Sequence, residues 1–108
     1  MDRDVELKLG EKTYILSPTL DAMRKINRQF GSIMDAGSRI ARYDFDAMEF
    51  VIKAGAGLSD KQSDQMAKEL VKSGLIPAAP SIAKFINVLL DPEGRGDDSS
   101  EDGEPGEA

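Results

Sequence analysis

Residues 54–63, AGAGLSDKQS, set two glycines one residue apart ahead of a serine, an aspartate and a lysine, residue types able to cradle a phosphate. A phosphate loop works when it follows a buried strand and opens a helix, because aligned backbone N–H groups then point at the anion. Here the preceding residues carry helical periodicity, and Asp60 stands where a dinucleotide fingerprint needs its third glycine. Its carboxylate repels pyrophosphate, and the chain has no Gly-Lys-Ser/Thr run. The stretch reads as a joint, with Gly55 and Gly57 ending one helix and Ser59 capping the next.

Two further constellations imitate sites. Asp91, Glu93, Gly96 and Asp102 match positions one, three, six and twelve of a calcium loop, but Arg95 puts a cation at position five and no amphipathic helix comes after it. Arg95-Gly96-Asp97 matches an adhesion tripeptide, uninformative inside a Gly/Asp-rich segment. The chain has neither histidine nor cysteine. It therefore lacks the usual acid–base residue near neutral pH, the thiolate nucleophile and the commonest zinc ligands. Glu49 and Lys53, or Asp64 and Lys68, at i and i+4, read as solvated helix faces. No catalytic residue, cofactor or metal is expected.

The elements that would position any site begin with a hairpin. In VELKLGEKTYIL a two-residue loop with Gly10 first suits a type II′ turn and pairs Leu9 with Lys12, Leu7 with Tyr14 and Val5 with Leu16. A lone hairpin is marginal in water, so its apolar face must pack on elements later in the chain. SPTLDAMRKINRQFG predicts a helix capped by Ser17, with Pro18 at its first position, an inward stripe of Leu20, Met23, Ile26 and Phe30, and Gly31 as its stop. A shorter helix is expected from Ser32 to about Arg42, with Ile33, Met34 and Ile40 inward and a weak point at Gly37. Asp44 caps a third, with Phe45, Met48, Val51 and Ile52 as its core stripe. Ser59 with Gln62 forms a capping box for a fourth, ending at Gly74, and PSIAKFINVLLDP closes the series with Ile82, Phe85, Ile86 and Leu89 on one face.

Charge divides the chain. From Asp91 onward there are eight carboxylates, a single arginine and no large apolar residue, so that segment has nothing to bury against the entropy of ordering. The fold class expected is α+β, mostly α: an N-terminal β-hairpin packed on a small bundle of about five short helices in residues 1–90, with a disordered acidic tail at 91–108 that is dispensable for folding. Residues 1–90 hold thirteen basic and twelve acidic groups, no excess that argues for nucleic acid. No apolar run approaches the roughly 20 residues of a bilayer span, and MDRDVELKL opens with charges, so a cytoplasmic protein with no membrane association is expected. The partner is then expected to be protein. Phe50 lies off the stripe of Phe45, Met48 and Ile52, giving that helix two apolar faces. Phe50, with Tyr43 at the helix entry and Met34 on the preceding helix, is the expected partner-binding set.

The order of these pieces resembles the gene transfer agent and phage tail assembly chaperone family, sometimes labelled tail tube-like. The resemblance covers residues 3–90 and rests on Tyr14 before Pro18-Thr19-Leu20, on Phe30-Gly31, on Ala54-Gly55 with Gly57-Leu58, and on Gly74-Leu75. It implies a small non-enzymatic factor that keeps the tape measure protein soluble and helps tail tube subunits assemble around it. The family label also allows a structural tube or connector subunit retained in the particle, and self-association is left open. The resemblance supplies fold positions and no ligand residues.

Overall fold

The computed structural model describes residues 3–92. The acidic segment expected to be disordered thus lies outside the described residues except for Asp91 and Pro92. Strands β1 (Val5–Leu9) and β2 (Lys12–Leu16) form a two-stranded antiparallel sheet. Its register is the one the turn demands, Val5 opposite Leu16, Leu7 opposite Tyr14 and Leu9 opposite Lys12. Gly10 takes φ 65°, which a type II′ turn requires at its first central residue. Val5, Leu7, Leu9 and Leu16 are buried on the inner face, with Tyr14 partly buried beside them.

Five helices complete the fold: α1 (Leu20–Phe30), α2 (Ile33–Ala41), α3 (Phe45–Ala56), α4 (Asp60–Ser73) and α5 (Leu75–Leu90). Asp44 and Ser59 cap α3 and α4 as expected, the latter with the full capping box through Gln62. The cap of α1 is Thr19 instead of Ser17: the Thr19 hydroxyl accepts from the Ala22 N–H, while the Ser17 N–H donates to the Gly55 carbonyl at 2.9 Å. Ser17 thus docks the hairpin to α3. Leu20 and Met34, expected inward, point out, and Ala22 and Ala36 take the buried positions on α1 and α2. Phe45, expected in the core stripe, is only partly buried. α5 begins at Leu75, earlier than the sequence suggests, because Pro77 lies in its first turn and Pro80 is tolerated inside it.

α3 is the central helix. It packs against β2 and against α1, α2, α4 and α5, and its Met48, Val51 and Ile52 are fully buried. Gly55 sits within α3 and does not end it; Gly57 does, at φ 67°. A Cβ on Gly55 would lie 2.9 Å from the Phe85 ring and 3.2 Å from Leu16 Cβ, so the missing side chain is what lets the hairpin, α3 and α5 meet. AGAGLSDKQS is therefore a helix end, a left-handed cap and a helix start. No helix among the described residues is long and apolar enough to cross a membrane.

Candidate partner-binding groove

Helices α2 and α5 run antiparallel on one side of the bundle, and the groove between them is apolar. Gly37 brings them together: a Cβ there would stand 3.3 Å from Ile86 Cγ2. This close approach explains why Gly37 does not break α2, since the packing it permits offsets the cost of about 1 kcal/mol for glycine in a helix. Two adjoining depressions of about 300 Å³ each run along the groove. One is lined by Met34, Gly37, Ser38, Ala83, Asn87 and Leu90 among others, the second by Tyr43, Ile76, Ala79 and Pro80, and both by Ala41 and Ala83. No charged side chain lines either.

Small residues make the floor and large ones the rim. Met34 (65% exposed) and Leu90 (47%) stand at one mouth, Tyr43 (45%) and Ile76 (66%) at the other. On α5 the outward residues Ile76, Pro80, Ala83, Asn87 and Leu90 recur at intervals of four and three, the spacing by which a helix presents a seam to a second helix. From Ile76 to Leu90 that seam measures about 21 Å at 1.5 Å per residue. An amphipathic helix of some four turns is the object such a trough accommodates.

Tyr43 holds its rim position against its own backbone preference. It closes α2 as a Schellman motif: the Tyr43 N–H donates to the Ile40 carbonyl at 3.0 Å and the Asp44 N–H to the Arg39 carbonyl at 3.1 Å. The residue at this place is usually glycine because it takes the left-handed conformation. Tyr43 does so at φ 59°, alone among the described non-glycine residues. A strained aromatic at the mouth of an apolar groove points to use of its side chain.

Of the three residues expected to bind a partner, Met34 and Tyr43 come together along this groove and Phe50 does not join them. The partly buried Phe50 ring meets Phe30 edge-on, with centroids 5.7 Å apart and planes at 90°, and on its other side lines a separate, mostly apolar depression of about 300 Å³ with Lys25, Lys53, Ala54 and Leu58. Around it Gln29, Asp46, Glu49, Lys53, Asp60, Ser63 and Asp64 line a polar depression. There Ser63 donates to Glu49 at 3.2 Å, and Lys53 is bonded to Asp60. That bond raises the Lys53 amine above its ordinary value and lowers the Asp60 carboxyl below it. These contacts tie α3 to α4. Ile76, Ala83 and Leu90 were missed because α5 reads as a buried helix. Its one charge in sixteen residues, Lys84, hides a second stripe behind the core stripe.

Among the described residues no group of three or more carboxylates is placed to hold a metal ion. No family model matches the chain, nor does any curated protein or solved structure.

Proposed function

We propose that this chain is a non-enzymatic tail assembly chaperone, acting in the host cytoplasm, that holds an apolar helix of a tape measure protein in the α2–α5 groove until tail tube subunits arrive. The observation that carries the reading is the groove itself, uncharged, floored by Gly37, Ala41 and Ala83 and rimmed by four exposed large apolar side chains. Exposed apolar surface of this shape is what a helix-in-groove interaction uses. A tape measure is a long, apolar, helical chain that would aggregate before its tube forms, and many weakly held copies along it gain by avidity while each remains free to leave. The family resemblance supplies the identity of the client and the groove supplies the means.

Co-expression with a phage tape measure protein tests the reading. Ala83→Glu sets a carboxylate on the groove floor at a partly buried site; with the fold checked by circular dichroism, the client is expected to be lost from the co-purified complex. Recovery of the client at the unmodified yield would overturn the assignment. Mass spectrometry of purified particles addresses the structural role: a chaperone is missing from them, whereas many copies per particle would make the chain a tube or connector subunit.

A further inference from the structure

The groove face of α5 reads nearly the same from either end. Its residues run large, small, large: Ile76, Ala83 and Leu90 stand seven residues apart, with Pro80 in the first interval and Asn87 in the second. Reversal about Ala83 sets Ile76 opposite Leu90 and Ala83 opposite itself. A helix with that pattern packs against an antiparallel copy of itself, the small residue letting the backbones close at the centre and the large ones filling the ends. α2 repeats the design in charge. Asp35 and Arg42, both exposed, stand seven residues apart on one side of α2 with the groove residue Ser38 between them, and neither makes an ion pair among the described residues. A second, antiparallel α2 brings Arg42 of each copy toward Asp35 of the other, just outside the uncharged groove. Lys84, the one charge on α5, lies about 100° round the helix from Ala83 and stays in solvent beside such a contact.

We propose that the α2–α5 face pairs with the same face of a second copy of this chain, about a twofold axis at right angles to the helices. α2 and α5 of the two copies then form one four-helix bundle in which every neighbour is antiparallel, and the groove residues become its core. Met34, Tyr43, Ile76 and Leu90, exposed in the single chain, are covered. Two helix widths of about 9 Å across a seam of about 21 Å give a face of roughly 400 Å² per copy. The pair buries roughly 800 Å² in all, short of the roughly 1,200 Å² of a stable interface, so the dimer is weak and exchanges. Apolar contact supplies its affinity and the two Asp35–Arg42 pairs its register. A client helix and the second copy compete for one groove. That competition rests on the proposed function; the self-pairing does not.

Sedimentation velocity of the full chain at physiological salt, across the micromolar to millimolar range, tests this. The chain should pass from monomer to dimer and no further, and Ala83→Glu, its fold checked by circular dichroism, should remain a monomer. Asp35→Arg and Arg42→Asp should each raise the dissociation constant about threefold to tenfold, because each turns two attractions into two repulsions. An equimolar mixture of these two variants should recover the dimer, since a chain with two arginines then meets one with two aspartates, a recovery that a folding defect does not give. A chain that stays monomeric throughout, single variants that dimerise like the unmodified chain, a mixture that stays apart, or Ala83→Glu that dimerises undiminished would each overturn the pairing. Ala83→Glu that loses the dimer yet keeps the client would overturn the client assignment and leave the pairing standing.

Discussion

Tyr43 and Gly55 occupy each other's expected conformations. Tyr43 stands in a left-handed cap where glycine is the unstrained choice, and Gly55 stands inside a helix where alanine is. Replacing Tyr43 separates strain from contact. Tyr43→Ala keeps the left-handed cost and loses the ring, whereas Tyr43→Gly loses the ring and relieves the cost, so the glycine variant is expected to be the more stable of the two by about 1 kcal/mol in urea denaturation. Both variants should lose client affinity. For Gly55, helix propensity favours alanine by about 1 kcal/mol, but the new methyl meets the fully buried Phe85 ring at 2.9 Å. The ring is walled in by core, so the clash decides the sign, and Gly55→Ala is expected to destabilise by about 1 to 3 kcal/mol in the same measurement.

At the scale of elements, α5 serves two faces at once. Ile82, Phe85, Ile86 and Leu89 anchor it in the core, while Ile76, Ala83 and Leu90 face the groove. Pro80 interrupts its hydrogen-bond ladder by removing the N–H that would meet the Ile76 carbonyl. An interior proline costs a helix about 3 kcal/mol relative to alanine, partly recovered by the restriction it places on the unfolded chain. Pro80→Ala is therefore expected to raise the thermal midpoint, and a lowered midpoint would show that the proline ring packs better than the lost bond. The hairpin is fastened by a different device. The Tyr14 hydroxyl on β2 donates to Glu69 on α4 at 2.6 Å, and the Lys12 amine lies 3.6 Å from the same carboxylate.

Over the whole molecule this fastening makes stability depend on pH at both extremes. Burial, with the bond to Glu69, pushes the Tyr14 hydroxyl up to about 12 from its ordinary 10.0. The unfolded chain therefore ionises first, and stability complete below pH 10 declines as pH rises toward 12. Glu69 is shifted the other way, lowered by the Tyr14 hydrogen bond and by the Lys12 charge. Its contribution is complete above its ordinary value of 4.5 and is lost as pH falls through the lower folded value. Denaturation midpoints across pH should show both declines, and Tyr14→Phe should flatten the alkaline one. The local code of the chain was legible in its sequence: the hairpin register from Gly10, the caps at Asp44 and Ser59, the stops at Gly31 and Gly74, and the dismissal of AGAGLSDKQS as a phosphate loop. Each is set by residues within a few positions of one another, where backbone dihedrals and side-chain oxygens act alone. Position on a helix wheel was legible only in part: Met34, expected inward, points out, and Phe50, off its stripe, finds Phe30, outcomes set by neighbours distant in sequence. Tertiary packing decided that Phe30 meets Phe50, that Gly37 and Gly55 serve close approach, and that α2 and α5 lie side by side. A groove belongs to the space between two helices distant in sequence, so only their packing creates it.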